Sequence, residues 1–206
     1  MQTMRKTGTK IFSWVLLLLL LAGLLTGCGT NDQENSADGQ RVLRYGSGDY
    51  TAINPALYEH GEINALLFAG LTAHNEKNEV VPGLAEDWSF DEKTCTYTFS
   101  LRDGLTFHDG EPLTSADVKF TLEAILDEQN GSEIVSNYTD IAEIRCPDAL
   151  TVEIRLTQPN AAFPDYMTIG ILPEHLLAGE DLATCAFNQN PVGAGPYRLK
   201  DWDMGQ

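Results

Sequence analysis

"FSLRDGLTFHDGEPLTSADV", Phe99–Val118, decides how the rest of the chain is read. It places His108 beside Asp109, between Gly104 and Gly110 and ahead of a segment with helical spacing. A His–Asp pair is either chemistry or punctuation in a fold. Gly104 and Gly110 supply turn conformations that residues bearing a Cβ resist. Asp103 and Asp109 can bond their local backbone, and Phe107 offers an apolar anchor. No Ser or Cys stands in a recognisable nucleophile setting, and adjacent turn residues rarely converge on one substrate atom. The stretch reads as punctuation, and no catalytic residue is assigned.

Working outward, Cys95, Tyr97, Phe99 and Leu101 alternate with Thr94, Thr96, Thr98 and Ser100, the pattern of a half-buried strand. Downstream, Thr114 with Asp117 three residues later makes a capping-box start. Val118, Leu122, Ile125 and Leu126 then share one helical face. Ala142, Ile144 and Cys146 alternate before a Pro147-Asp148 turn, and Val152, Ile154 and Leu156 alternate after it, which predicts a β-hairpin. Upstream, Val42–Tyr45 is a short strand candidate ending at Gly46-Ser47-Gly48. Asn54-Pro55 marks a turn before a helical run in which Ile63, Leu66, Leu67 and Leu71 recur. Mixed helices and hairpins without regular βαβ alternation indicate an α+β body.

Composition narrows the function. The chain has 13 basic and 30 acidic residues; three of the basics and none of the acids precede Cys28, leaving 10 against 30, a net charge of −20. Nucleic acid is excluded as a partner, because phosphate binding needs clustered Lys and Arg. Cys95, Cys146 and Cys185 are an odd count, so at least one thiol has no partner within the chain, and their disulfide state stays open. Cys95 and Cys146 fall on apolar faces of strand-like segments, which favours buried free thiols. His60, His74, His108 and His175 lack zinc-site spacing, and no metal or cofactor is expected.

The amino terminus carries an address. Arg5, Lys6 and Lys10 precede the apolar run Ile11–Leu25, which is short for a bilayer span and is followed by Thr26, Gly27 and Cys28. That pattern describes a secretory signal peptide, with an uncleaved signal anchor as the alternative. Leu25-Thr26-Gly27-Cys28 resembles a bacterial lipobox, in which the Cys thiol receives a diacylglycerol and becomes the first residue. Residues 1–27 are then a lipoprotein signal peptide, 28–40 a polar tether, and 41–206 the body, held on the outer face of the membrane through Cys28.

Within the body, "VPGLAEDWSFDEKTCTYTFSLRDGLTFHDGEPLTSADVKFTLEAI" (Val81–Ile125), "ILPEHLL" (Ile171–Leu177) and "NPVGAGPYRLKDW" (Asn190–Trp202) occur in order. Together they resemble the family 5 solute-binding proteins, the peptide- and nickel-binding receptors of ABC importers. The resemblance implies a periplasmic-binding-protein-like two-lobe fold, of which this chain carries part of the first lobe with its β-rich insert. The family's second lobe has no counterpart before Gln206, as a truncated reading frame or a partial record would leave it. The implied function is capture of a dipeptide or oligopeptide outside the membrane, by a monomer, for delivery to ABC permease subunits. A nickel-chelate or other small-solute receptor, or a surface lipoprotein for signalling or adhesion, is the alternative; an enzyme is not expected. The family's ligand-facing loops map onto Gly48, Asp49 and Tyr50 and onto Asn137 and Tyr138, although both tyrosines also suit half-buried packing.

Overall fold

A computed structural model describes residues 50–203. The expected signal peptide, lipidation site, tether and Val42–Tyr45 strand, with Gly48 and Asp49, lie outside the described residues.

Among the described residues, two antiparallel sheets and four α-helices form the α+β arrangement the sequence predicts. Helix α1, Gly61–Leu67, precedes a two-stranded sheet of β1, Thr72–His74, and β2, Val80–Pro82. A four-stranded sheet follows with order β3-β4-β6-β5, formed by Ala85–Asp91, Thr96–Leu101, Thr151–Leu156 and Ile141–Asp148 respectively. Helix α2, Ser115–Leu126, enters between β4 and β5; short helices α3, Phe163–Tyr166, and α4, Glu174–Leu177, follow the sheet.

Strand register explains the patterning. Phe90, Tyr97, Ile154 and Ile144 stand opposite one another across the four strands, as do Trp88, Phe99 and Val152 on three of them. Because side chains alternate along a strand, these rows share one face. Phe99, Val152 and Ile154 are fully buried there, and Phe163 from α3 packs on Tyr97 with ring centroids 5.3 Å apart. The intervening row of Ser89, Thr98, Glu153 and Arg145 forms the other, polar face, where Arg145 meets Glu153 at 3.1 Å.

Helix α2 covers the apolar face with Val118, Leu122 and Ile125, each 0% exposed. Its start is the expected capping box: the Thr114 side chain accepts from the backbone of the first turn while the Thr114 N–H donates to Asp117 Oδ2 at 2.8 Å. Asp117 Oδ1 also accepts the Glu174 N–H at 3.0 Å, so one buried carboxylate serves the starts of both α2 and α4. Thr121 Oγ1 receives the Leu172 N–H at 2.9 Å and fixes the chain entering α4.

Three expectations are corrected. Helix α1 ends at Leu67, so Leu71 is buried beyond the helix rather than on it. The β5–β6 hairpin turns at Ala149-Leu150, with Asp148 paired to Thr151; Pro147 sits at a register shift in edge strand β5, where no ladder N–H is needed. Cys95 and Cys146 are free thiols, as expected, but half-buried rather than buried. Cys95 adopts φ 54° in the turn before β4, and Cys146 lies on the edge strand with Sγ 3.1 Å from the Ser115 carbonyl oxygen.

Candidate functional site

The His108–Asp109 pair occupies the tip of a short hairpin. Leu113 N–H donates to the Leu105 carbonyl and Phe107 N–H to the Glu111 carbonyl, both at 2.9 Å. Gly110 N–H closes the tip onto the Phe107 carbonyl at 3.0 Å. Gly104 and Gly110 adopt φ of +71° and +96°, the left-handed region that favours glycine. Asp103 accepts the Gly104 N–H, Asp109 accepts the Glu111 N–H, and Phe107 is 3% exposed.

The two side chains diverge from that tip. His108 Nδ1 accepts the Gly193 N–H at 3.3 Å, which leaves Nε2 to carry the proton and donate to the Gly195 carbonyl at 3.0 Å. His108 N–H donates to the Gly193 carbonyl at 2.8 Å. The Gly193-Ala194-Gly195 segment passes so close to the end of α1 that a Cβ on either glycine would overlap Leu67 backbone atoms. There Gly195 and Tyr197 donate their N–H groups to the Leu67 and Leu66 carbonyls, both at 3.0 Å, satisfying acceptors that a helix end leaves open. Asp109 instead meets His175 of α4, Oδ2 to Nε2 at 2.9 Å. Burial raises the Asp109 carboxyl, but hydrogen bonds from His175 and backbone N–H groups, with the His175 charge, bring it below its ordinary value. Both ring nitrogens of His108 are committed to backbone partners. The arrangement joins three separated segments and does not couple His108 to Asp109.

A cleft of about 600 Å³ opens elsewhere on the body. Its wall includes the loop before α1, the solvent side of α1, the 3₁₀ turn Val135–Asn137, and α3. Asn137 and Tyr138 line it. Tyr138 is 2% exposed and donates its hydroxyl to the Tyr166 carbonyl at 2.7 Å; burial pushes that phenol far above its ordinary pKa. Tyr138 therefore shapes the wall from beneath. Tyr50 lies against His60 with ring centroids 4.7 Å apart, and His60 stacks on Tyr58 at 5.7 Å; both His60 and Tyr58 line the cleft. Asn137 and Tyr138 thus meet in one cleft, with Tyr50 packed on its His60 margin.

Sequence reasoning missed Tyr58, Glu59, His60, His74, Asp165 and Tyr166 on the same wall. His74 and Asp165 meet at 3.0 Å although 91 residues separate them. Only the Tyr58-Glu59-His60 cluster, polar and aromatic just before a helix, carried a local signal. Among the described residues, no group of three His, Cys, Asp or Glu side chains is arranged to hold a metal ion.

Comparison with known proteins places this chain among bacterial solute-binding proteins. Residues 79–206 match the family described as bacterial extracellular solute-binding proteins, family 5 middle. The solved structure of NikZ from Campylobacter jejuni in complex with Ni(L-His) is 39% identical, with a TM-score of 0.73 over 76% of this chain and 32% of NikZ. The ABC transporter substrate-binding protein CtaP from Listeria monocytogenes is 31% identical, with a TM-score of 0.70 over 78% of this chain and 34% of CtaP. The oligopeptide-binding protein AppA of Bacillus subtilis, solved with a nonapeptide, is 28% identical, with a TM-score of 0.72 over 77% of this chain and 33% of AppA. The chain spans 27–28% of the length of curated relatives that it matches at 36% identity.

Proposed function

The chain belongs to the bacterial extracellular solute-binding proteins of family 5, and on that footing we propose that it is the substrate-binding lipoprotein of an ABC importer, capturing peptides outside the membrane for a permease. The likeness in fold and sequence to AppA, solved with a nonapeptide, carries this reading. Ligand contact is assigned to Gly48, Asp49, Tyr50, Asn137 and Tyr138, and attachment to lipid on Cys28. The Leu25-Thr26-Gly27-Cys28 sequence supports the anchor. A diacylglycerol anchor, with two acyl chains, would hold the body at the surface without a spanning helix.

The likeness to NikZ favours a second reading, in which the solute is a nickel chelate. Uptake by the source bacterium separates the two. Deleting the gene should lower entry of a labelled tripeptide and leave nickel–histidine entry unchanged; the reverse pattern makes the chain a nickel receptor, and loss of neither contradicts import. In the same strain, Cys28→Ala should abolish fatty-acid incorporation and move the protein out of the membrane fraction. Unchanged incorporation would overturn the assignment of Cys28.

A further inference from the structure

The hairpin tip makes two attachments with opposite needs for a proton. His108 Nδ1 accepts the Gly193 N–H, which it can do only while that nitrogen is unprotonated. A charged imidazole donates from both nitrogens, so Nδ1–H would then face the Gly193 N–H, donor against donor. The Nε2–H bond to the Gly195 carbonyl survives protonation and gains from the charge. Acid therefore opens the Gly193 end of the contact and keeps the Gly195 end. Asp109 responds in the other direction. Its Oδ2 lies 2.9 Å from His175 Nε2, and a proton on His175 turns that hydrogen bond into an ion pair.

The surroundings leave each imidazole to its own partner. On the elements around His108, the charged or titratable groups are Asp109 and Glu111 of the hairpin, Glu62 in the first turn of α1, and Tyr197 and Arg198 beyond Gly195. Among the described residues, none of them is ion-paired with His108. His175 packs on the Phe107 ring, centroids 5.7 Å apart, beside a shallow recess lined by Glu111, Asp117 and Glu174 and by no Lys or Arg. Asp117 is engaged by the N–H groups of Thr114 and Glu174, so Asp109 is the carboxylate that meets the His175 ring.

We propose that the hairpin tip is a pH-sensitive switch: mild acid loosens its hold on the Gly193–Gly195 strap through His108 and tightens its hold on α4 through Asp109 and His175. Imidazole side chains ordinarily change charge between about pH 5 and pH 8, the window of the switch. The Asp109 carboxyl, held below its ordinary value, stays charged across that window. Stabilisation from the Gly193 bond is present above the window and is lost as pH falls through it, whereas the ion pair is gained over the same fall. The strap leads to Pro196 on the cleft wall, so its release reaches the cleft.

The test is NMR on the isotopically labelled full chain from about pH 8 to about pH 5, reading the ring nitrogens of both histidines and amide exchange corrected for its intrinsic pH dependence. At the upper end His108 should carry its proton on Nε2 alone. As pH falls, protection of the Gly193 N–H should drop by about tenfold, the scale of one hydrogen bond, while that of the Gly195 N–H holds. Protection of the Ala178 N–H, which closes α4 onto the Glu174 carbonyl, should rise as His175 is protonated. His108→Asn keeps an acceptor without a titrating ring and should remove the Gly193 response; Asp109→Asn should remove the α4 response alone. If His108→Asn does not fold, the parent decides, because loss of Gly193 protection must track protonation of the His108 ring. A Gly193 amide equally protected across the range, or a loss that persists in His108→Asn, would overturn the switch. Ala178 protection that falls with pH in the parent, or that rises equally in Asp109→Asn, would overturn it too.

Discussion

Gly193 shows how much a single residue carries. Its Cα lies against the Leu67 carbonyl, its N–H reaches His108, and its carbonyl accepts the His108 N–H. A methyl group there meets backbone, which cannot swing aside as a side chain would. Gly193→Ala should therefore lower stability by about 2–3 kcal/mol, the upper part of the overpacking range. Gly61, with open space around its Cα, is the control, and Gly61→Ala should be neutral or slightly stabilising. Denaturant unfolding checks both, and equal losses would contradict the close-approach account. Thr114 is the matching case for a cap, and Thr114→Ala should cost about 1 kcal/mol. Asp117→Asn should cost more, because the Asp117 carboxylate accepts from Thr114 N–H, Thr114 hydroxyl and Glu174 N–H. At this scale the sequence was readable only where partners are near. The capping box is a three-residue spacing, whereas the partners of His108 lie 85 and 87 positions away. Cys95 misled because alternation continues into a turn whose φ of 54° no pattern of apolar residues encodes.

Among elements, the hairpin bearing His108 and Asp109 acts as a staple between the end of α1, the Gly193–Gly195 segment and α4. Its acid sensitivity follows from Asp109. That carboxyl titrates below the usual 3.8 in the folded chain, so the folded state favours the charged form. The resulting stability is present above the unfolded pKa and is lost as pH falls through the lower folded value. Asp109→Asn should therefore be less stable than the parent at neutral pH, and the gap should close as pH drops below 3.8. Unfolding curves across that range measure it, and a gap that widens toward acid would contradict the sign. Helix α2 and the β5–β6 hairpin were legible because each buries one face at a regular period. The end of α1 was not, since Leu71 is buried by tertiary contact at the spacing a helix would give. The turn at Ala149-Leu150 was displaced by Pro147, a residue that marks turns and equally tolerates an edge strand.

For the whole molecule, family membership was legible because three motif blocks keep their order along the chain, and each proves structural: the strand-to-helix hairpin, the α4 entry, and the glycine segment under His108. The cleft was hidden because its walls come from stretches far apart in the chain and joined only in the fold, as His74 and Asp165 illustrate. The central claim is that this body holds a solute and leaves it unchanged. Titrating the isotopically labelled full chain with di- to pentapeptides by NMR reads both halves of it, and detects binding even at about millimolar strength, near −4 kcal/mol. The account predicts saturable amide shifts at Asn137 and at neighbouring cleft residues, with the peptide's own spectrum constant over time. Peptide cleavage that disappears in Asp109→Asn, or an unshifted spectrum with every peptide and with nickel–histidine, would contradict it.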